Sequence, residues 1–179
     1  KNKKIVLQAQ TSMLVRLAQL LEERKNRIDF RAAISYTEPL YPEIRLYLEK
    51  IFQAPVFNYY ASNEITAIAQ ECEKKDGLHL NSEWIYAEIL DEKNHAVPVG
   101  QKGRVILTHF ENEVMPFIRY ETGDYGNFID RPCDCGRTLP KIAIEGRQGH
   151  AFTLPNGTIA YFFDMARIIL EYISKILQY

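Results

Sequence analysis

The feature that most narrows the possible folds is a strand, helix, strand succession within the first 36 residues. Ile5-Val6-Leu7 is a short apolar run. Met13, Leu14, Leu17, Ala18 and Leu21 then recur at spacings of three and four, which predicts an amphipathic helix running to about Lys25, with Thr11 or Ser12 as its cap. Ile28-Asp-Phe-Arg-Ala-Ala-Ile-Ser-Tyr36 follows as a buried strand. Strands joined through a helix lie side by side in the same direction, so a parallel sheet is expected.

The unit then repeats. Thr37-Glu-Pro-Leu-Tyr-Pro42 is a turn leading into a second helix, with Leu40, Ile44, Tyr47, Leu48 and Ile51 facing inward. Pro42 suits a first helical turn, where its missing N–H would have no partner. Val56-Phe-Asn-Tyr-Tyr60 is the next strand, and Ala61-Ser-Asn-Glu64 is expected to turn into a short helix ending near Gln70. The turns at Thr37 and Ala61 therefore share the C-terminal end of neighbouring strands, the end at which open parallel sheets bind ligands.

From Leu78 onward alternation replaces helical spacing. Leu78-His-Leu-Asn81, Trp84 to Leu90 and Gly103 to Thr108 are separated by polar turns and predict an antiparallel, partly barrel-like region. Phe117, Ile118 and Tyr120 carry the character of a buried strand that Thr122-Gly123-Asp124 would end. Leu154-Pro-Asn-Gly-Thr-Ile159 reads as a hairpin, followed from about Tyr161 by a helix striped with Phe162, Met165, Ile169, Tyr172, Ile173 and Ile176. The expected class is α/β: a parallel βαβ portion over residues 1–76, an antiparallel β-rich subdomain over 77–146, and a C-terminal hairpin plus helix over 147–179.

Two sets of residues could carry chemistry. Asp124, on its turn, is an acceptor-only side chain suited to a diol such as a ribose; an Asp beside Gly also serves turns for backbone reasons alone. Glu64 is either a carboxylate placed to meet a cation or an acid favoured by a helix start. The second set is Cys72, His79, Cys133 and Cys135, which uses all three cysteines of the chain. Cys₃His is a standard structural zinc composition with no open position. Free buried thiols are the other reading.

Pro116-Phe-Ile-Arg119-Tyr-Glu-Thr-Gly-Asp124, followed by Cys133-Asp-Cys135-Gly-Arg137-Thr and Gly146-Arg147, resembles the C-terminal half of the adenylate-forming (AMP-forming) ligases. The similarity is closest to the phenylacetate-CoA ligase branch, with its coenzyme-adenylating and capsule-biosynthesis relatives, and runs from about Lys4 onward. The resemblance implies binding of ATP and AMP and activation of a carboxylic acid as its acyl-adenylate, then transfer to coenzyme A. It makes Glu38 and Pro39 the turn along the adenine, Tyr60 the stacking residue, and Ala61, Ser62 and Asn63 the loop at the phosphates. Glu64 becomes the catalytic Mg²⁺ partner, Asp124 the ribose binder, and Arg147 the arginine that closes over the ribose at the hinge between domains. An exposed Gly-Arg turn is the plain alternative for Arg147.

The chain departs from the family pattern at Ala61 for a glycine, Asn63 for a hydroxyl residue, and Gly149 and His150 for the usual hinge acid or lysine. Neither the Ser/Thr/Gly-rich phosphate loop nor the catalytic lysine is in these residues. The resemblance thus implies a segment of a longer enzyme, inactive alone. The competing reading is a non-catalytic, zinc-stabilised nucleotide-binding or interaction module.

A net charge of −1 provides no broad field for nucleic acid or an anionic membrane, and no apolar run approaches a membrane span. An odd number of cysteines argues against a secreted disulfide framework and for the cytoplasm. The expected partners are a nucleotide and a small carboxylic acid. Oligomeric state is not legible.

Overall fold

The structure, a computed structural model, describes residues 5–148, 151–153 and 159–161. Strand β1 (Ile5–Gln10), helix α1 (Thr11–Glu23), strand β2 (Phe30–Tyr36), helix α2 (Pro42–Phe52) and strand β3 (Val56–Tyr60) form two successive βαβ units. Their strands pair in parallel, β1 with β2 and β2 with β3. Strands β4 (Ala69–Glu71), β5 (Leu78–Leu80), β6 (Ile85–Leu90), β7 (Gly103–His109), β8 (Tyr120–Ile129) and β9 (Lys141–Arg147) are antiparallel.

All nine belong to one sheet in the order β1-β2-β3-β4-β5-β9-β8-β7-β6. The antiparallel region is thus an extension of the parallel one, joined where β4 pairs with β3. Strands β10 (Ala151–Thr153) and β11 (Ile159–Tyr161) pair as the expected hairpin. The turn between them and the predicted C-terminal helix lie outside the described residues, as do Gly149 and His150.

The core has two parts. Helices α1 and α2 pack against each other and against β2 and β3 through Leu14, Ala18, Leu21, Phe30, Ala33, Leu48, Phe52 and Val56. A second cluster lies within the antiparallel region around Ile65, Ile68, Leu80, Ile85, Val105, Leu107 and Ile142. Met13, expected on the buried face of α1, is 62% exposed, because the helix turns the stripe of Leu14, Ala18 and Leu21 to the core, with Val15 and Leu17 at its margins. Ile118, expected in a buried strand, is also exposed; β8 begins only at Tyr120.

Three local expectations are corrected. Helix α1 has no side-chain cap from Thr11 or Ser12. Its first turn is instead met by the Glu38 carboxylate, which accepts the Ser12 N–H at 2.7 Å and the Ser12 hydroxyl at 2.9 Å. An acid there answers the unpaired amides and the positive end of the helix dipole. The Thr11 hydroxyl is turned inward, 2.6 Å from Ser35 Oγ.

Residues 61–68 form no helix. Ile65 and Ile68 are pulled into the core, and the backbone between is held by side chains. Ser62 Oγ accepts the Ile65 N–H, Asn81 Nδ2 donates to the Ala67 carbonyl, and the Tyr59 hydroxyl donates to that of Thr66. With those partners available, helical bonds are not needed to satisfy the segment.

Thr122-Gly123-Asp124 does not end a strand but lies inside β8, at a point where pairing slips against both β7 and β9. Gly123 has φ +77°, a conformation open to glycine. Farther along β8, a Cβ on Gly126 would fall inside van der Waals distance of the Ala143 carbonyl oxygen. Gly126→Ala is therefore expected to destabilise the fold by about 1–3 kcal/mol in urea unfolding, the usual cost of overpacking.

Candidate nucleotide site and candidate metal centre

Strand β3 ends at Tyr60, on the rim shared with the Thr37 turn at the end of β2. The Tyr60 hydroxyl donates to Asp124 Oδ2 at 2.6 Å. Tyr60 and Asp124 belong to strands four places apart in the sheet order, β3 and β8. Strand spacings of about 4.8 Å would separate them by roughly 19 Å in a flat sheet, so the sheet must curl here. The barrel-like tendency expected from the alternating segments is met by this curl.

Asp124 is further fixed by its own N–H, which donates to Thr122 Oγ1 at 3.0 Å, while the buried Thr122 hydroxyl donates to the Val105 carbonyl. Arg147, paired with Asp124 in the β8–β9 register, places its Nε 3.9 Å from Asp124 Oδ1. Gln148 N–H closes the corner on the Gly123 carbonyl at 2.6 Å. Glu64 joins from the 61–68 loop through hydrogen bonds with the Ser62 and Tyr120 hydroxyls. The structure thus brings Tyr60, Ser62, Glu64, Asp124 and Arg147 to one rim.

The electrostatics follow from burial and from one cation. Burial is the largest influence on Asp124 and raises its carboxyl above the ordinary range; the Tyr60 hydroxyl and the Arg147 charge work against it. Burial first, then the Asp124 charge, pushes the Tyr60 hydroxyl far up, so it stays a donor at any working pH. Glu64 is exposed and held below its ordinary value by its own backbone N–H, the two hydroxyls and Arg147. The rim therefore places one buried and one exposed carboxyl beside an exposed guanidinium.

A second constellation lies at the other end of β9. Cys72 follows β4, His79 sits in β5, and Cys133 and Cys135 lie between β8 and β9. Their ligand atoms all fall within 4.8 Å of one another, and Cys72, His79 and Cys133 are buried. Cys72 Sγ is 3.6 Å from Cys133 Sγ, and Cys135 Sγ is 3.5 Å from His79 Nε2. A disulfide would need about 2.05 Å, whereas a tetrahedron of Zn–S bonds near 2.3 Å and Zn–N bonds near 2.0 Å has edges of roughly 3.5–3.8 Å. These two separations match tetrahedral zinc edges, and three thiols with one imidazole are a donor set that zinc takes.

The two cysteine turns are alike. The Lys75 N–H donates to the Cys72 carbonyl and the Gly136 N–H to the Cys133 carbonyl, and Lys75 and Gly136 both have positive φ. Backbone N–H groups also reach sulfur, Lys74 to Cys72 and Arg137 to Cys135. Burial works against the Cys135 thiolate, yet the Arg137 N–H and guanidinium and the neighbouring thiols lower its pKa. Amides donated to sulfur favour the ionised thiol that metals bind.

No protein-family model matches the chain. Among curated proteins, it is 30% identical over 120 residues to phenylacetate-coenzyme A ligase of Thermus thermophilus, covering 64% of this chain and 27% of that protein. It is 29% identical over 144 residues to phenylacetate-coenzyme A ligase of Pseudomonas putida, covering 76% of this chain and 33% of the relative. Among solved structures, 2-hydroxyisobutyryl-CoA ligase in the postadenylation state in complex with 2-HIB-AMP superposes with a TM-score of 0.81 at 27% identity, over 87% of this chain and 35% of that one.

In sequence and in fold the chain resembles the adenylate-forming ligases.

The curated relatives it resembles are phenylacetate-CoA ligases. It spans about a third or less of the length of the curated relatives it matches. The fold likeness extends to anthranilate CoA ligase AuaEII, with a TM-score of 0.64 at 12% identity.

The carboxylate of Glu38 is engaged by α1, which leaves the backbone and the exposed ring of Pro39 as the parts of that turn facing outward. Ala61 is half-buried and Asn63 is exposed. Tyr120 was expected only as a strand residue; its hydroxyl in fact holds Glu64. Its place two residues before Thr122 was visible, but which way the side chain points depends on the slip in β8.

Proposed function

We propose that the protein containing this chain activates a carboxylic acid with ATP to an acyl-adenylate and passes the acyl group to coenzyme A. The observation that carries this reading is the convergence of Tyr60, Glu64, Asp124 and Arg147 on one rim, four residues drawn from β3, the following loop, β8 and β9. Asp124 Oδ1 would accept from the ribose hydroxyls and Arg147 would close over the sugar. The Tyr60 ring and Pro39 would flank the adenine, with Ser62 and Asn63 nearest the phosphates. Glu64 offers one carboxylate, which suits Mg²⁺ because that ion takes its other ligands from water and phosphate. When bound, Mg²⁺ would neutralise phosphate charge.

In the same reading, residues 1–76 and 77–146 supply the two walls of the nucleotide site, and 147–179 hold the hinge and the start of the small domain. Zinc in the Cys₃His cluster would be structural, since its four protein donors leave no open position. ATP and coenzyme A are intracellular metabolites, which supports the cytoplasm as the site of the reaction. Among the described residues no helix is long and apolar enough to cross a membrane.

The test is ATP–pyrophosphate exchange by the full-length protein with a panel of aryl and fatty acids. Exchange with at least one acid is expected. Asp124→Asn should lower kcat/KM about 100-fold, since a buried charged hydrogen bond is worth about 1.5–3 kcal/mol and 1.4 kcal/mol is tenfold. Silence with every acid would favour a non-catalytic, zinc-stabilised binding module.

A further inference from the structure

Asp124 is an unusual ligand-binding acid because one of its oxygens is already spent. Its side chain is only 12% exposed, and Oδ2 receives the Tyr60 hydroxyl at 2.6 Å while Oδ1 faces Arg147. The Tyr60 ring packs on the core cluster that includes Ile65 and Ile68, so the hydroxyl is delivered from a side chain that is itself anchored. A carboxylate has room for about four hydrogen bonds in two directions, and a donor on one oxygen selects the direction of the other.

We propose that Tyr60 is a positioning residue for Asp124: its hydroxyl holds the carboxylate in a single orientation, turning Oδ1 toward Arg147 and toward an incoming sugar diol. The inference rests on the nucleotide reading above and assigns Tyr60 a task separate from any stacking by its ring. The hydroxyl and the ring can be tested apart, because Tyr60→Phe keeps the ring. The hydroxyl also favours the ionised form of Asp124 against the effect of burial. Removing it lets the carboxyl pKa climb further, so binding that needs the carboxylate would begin to fail at a higher pH.

The experiment uses the full-length protein, with AMP as the probe and calorimetry across the acid range. Tyr60→Phe should weaken AMP about tenfold near neutrality, move the acid limb of the affinity profile to higher pH, and add nothing in an Asp124→Asn background. The Asp124 carboxyl titration, followed by ¹³C NMR without nucleotide, should move up in the same variant. An unmoved titration, or a loss that is equal at every pH and additive with Asp124→Asn, would overturn the proposal. Failure of the wild type to bind AMP would count against the nucleotide reading instead, leaving the carboxyl titration to decide the Tyr60 contact.

Discussion

Glu71→Ala should cost the fold about 3–5 kcal/mol, the usual penalty for stripping the partner from a buried charge. Arg45 on α2 grips Glu71 on β4 with both terminal nitrogens, at 2.8 and 2.7 Å, and donates at 2.6 Å to the Val56 carbonyl. Glu71 also accepts the Asn58 N–H at 2.7 Å. Their side chains are 16% and 8% exposed. Truncating Glu71 would leave a guanidinium and an amide without their acceptor at the seam where parallel sheet becomes antiparallel.

For a chain of this size the loss corresponds to a fall in Tm of roughly 10 °C, at about 2–4 °C per kcal/mol. The ion pair need not itself be a net stabiliser. A double replacement, Arg45→Met with Glu71→Leu, removes both charges together and is expected to cost less than Glu71→Ala alone. Thermal or urea unfolding of both variants checks the pair. A single-variant loss under 1 kcal/mol would show that water reaches Arg45.

Metal removal should have a comparable or larger effect. The purified protein is expected to carry one zinc per chain, and Cys133→Ser to lose it. Metal binding in small zinc modules is worth on the order of 10 kcal/mol of folding free energy. Here the sheet holds much of the fold without it, so we expect a fall in Tm of at least about 10 °C, at about 2–4 °C per kcal/mol.

Chelation should reproduce the effect and expose three titratable thiols that were previously protected. Strand β9 runs from Lys141, paired with His79, to Arg147 at the proposed nucleotide rim, so on that reading AMP affinity should fall with the metal. Protein free of metal, with all thiols reactive and an unchanged Tm, would reject the assignment.

Much of this was legible in local pattern. The 3.6-residue spacing in α1 and α2 and the apolar runs of β2 and β3 led to a parallel arrangement, and Pro42 marked the start of α2 where it stands. The cysteines and His79 indicated a candidate metal centre by composition, and the structure brings them together, although nothing in their spacing could bring Cys72 to Cys133. The errors cluster where tertiary partners replace local ones. Residues 61–68 looked helical until Asn81 and Tyr59 satisfied their carbonyls, and Glu38, expected in the turn along the adenine, directs its carboxylate to α1.

The amino-acid order by itself determined that residues 5–60 alternate strand and helix and that strands dominate from Leu78, because those patterns depend on periodicity within a few residues. It also determined which rim collects the turns, through the parallel direction imposed by two crossovers. Only the tertiary structure decided that Tyr60 meets Asp124, since that contact requires the sheet to curl across four strand positions. It likewise decided that four distant donors close to 4.8 Å, because side chains far apart in the chain acquire a distance only when the strands between them have paired.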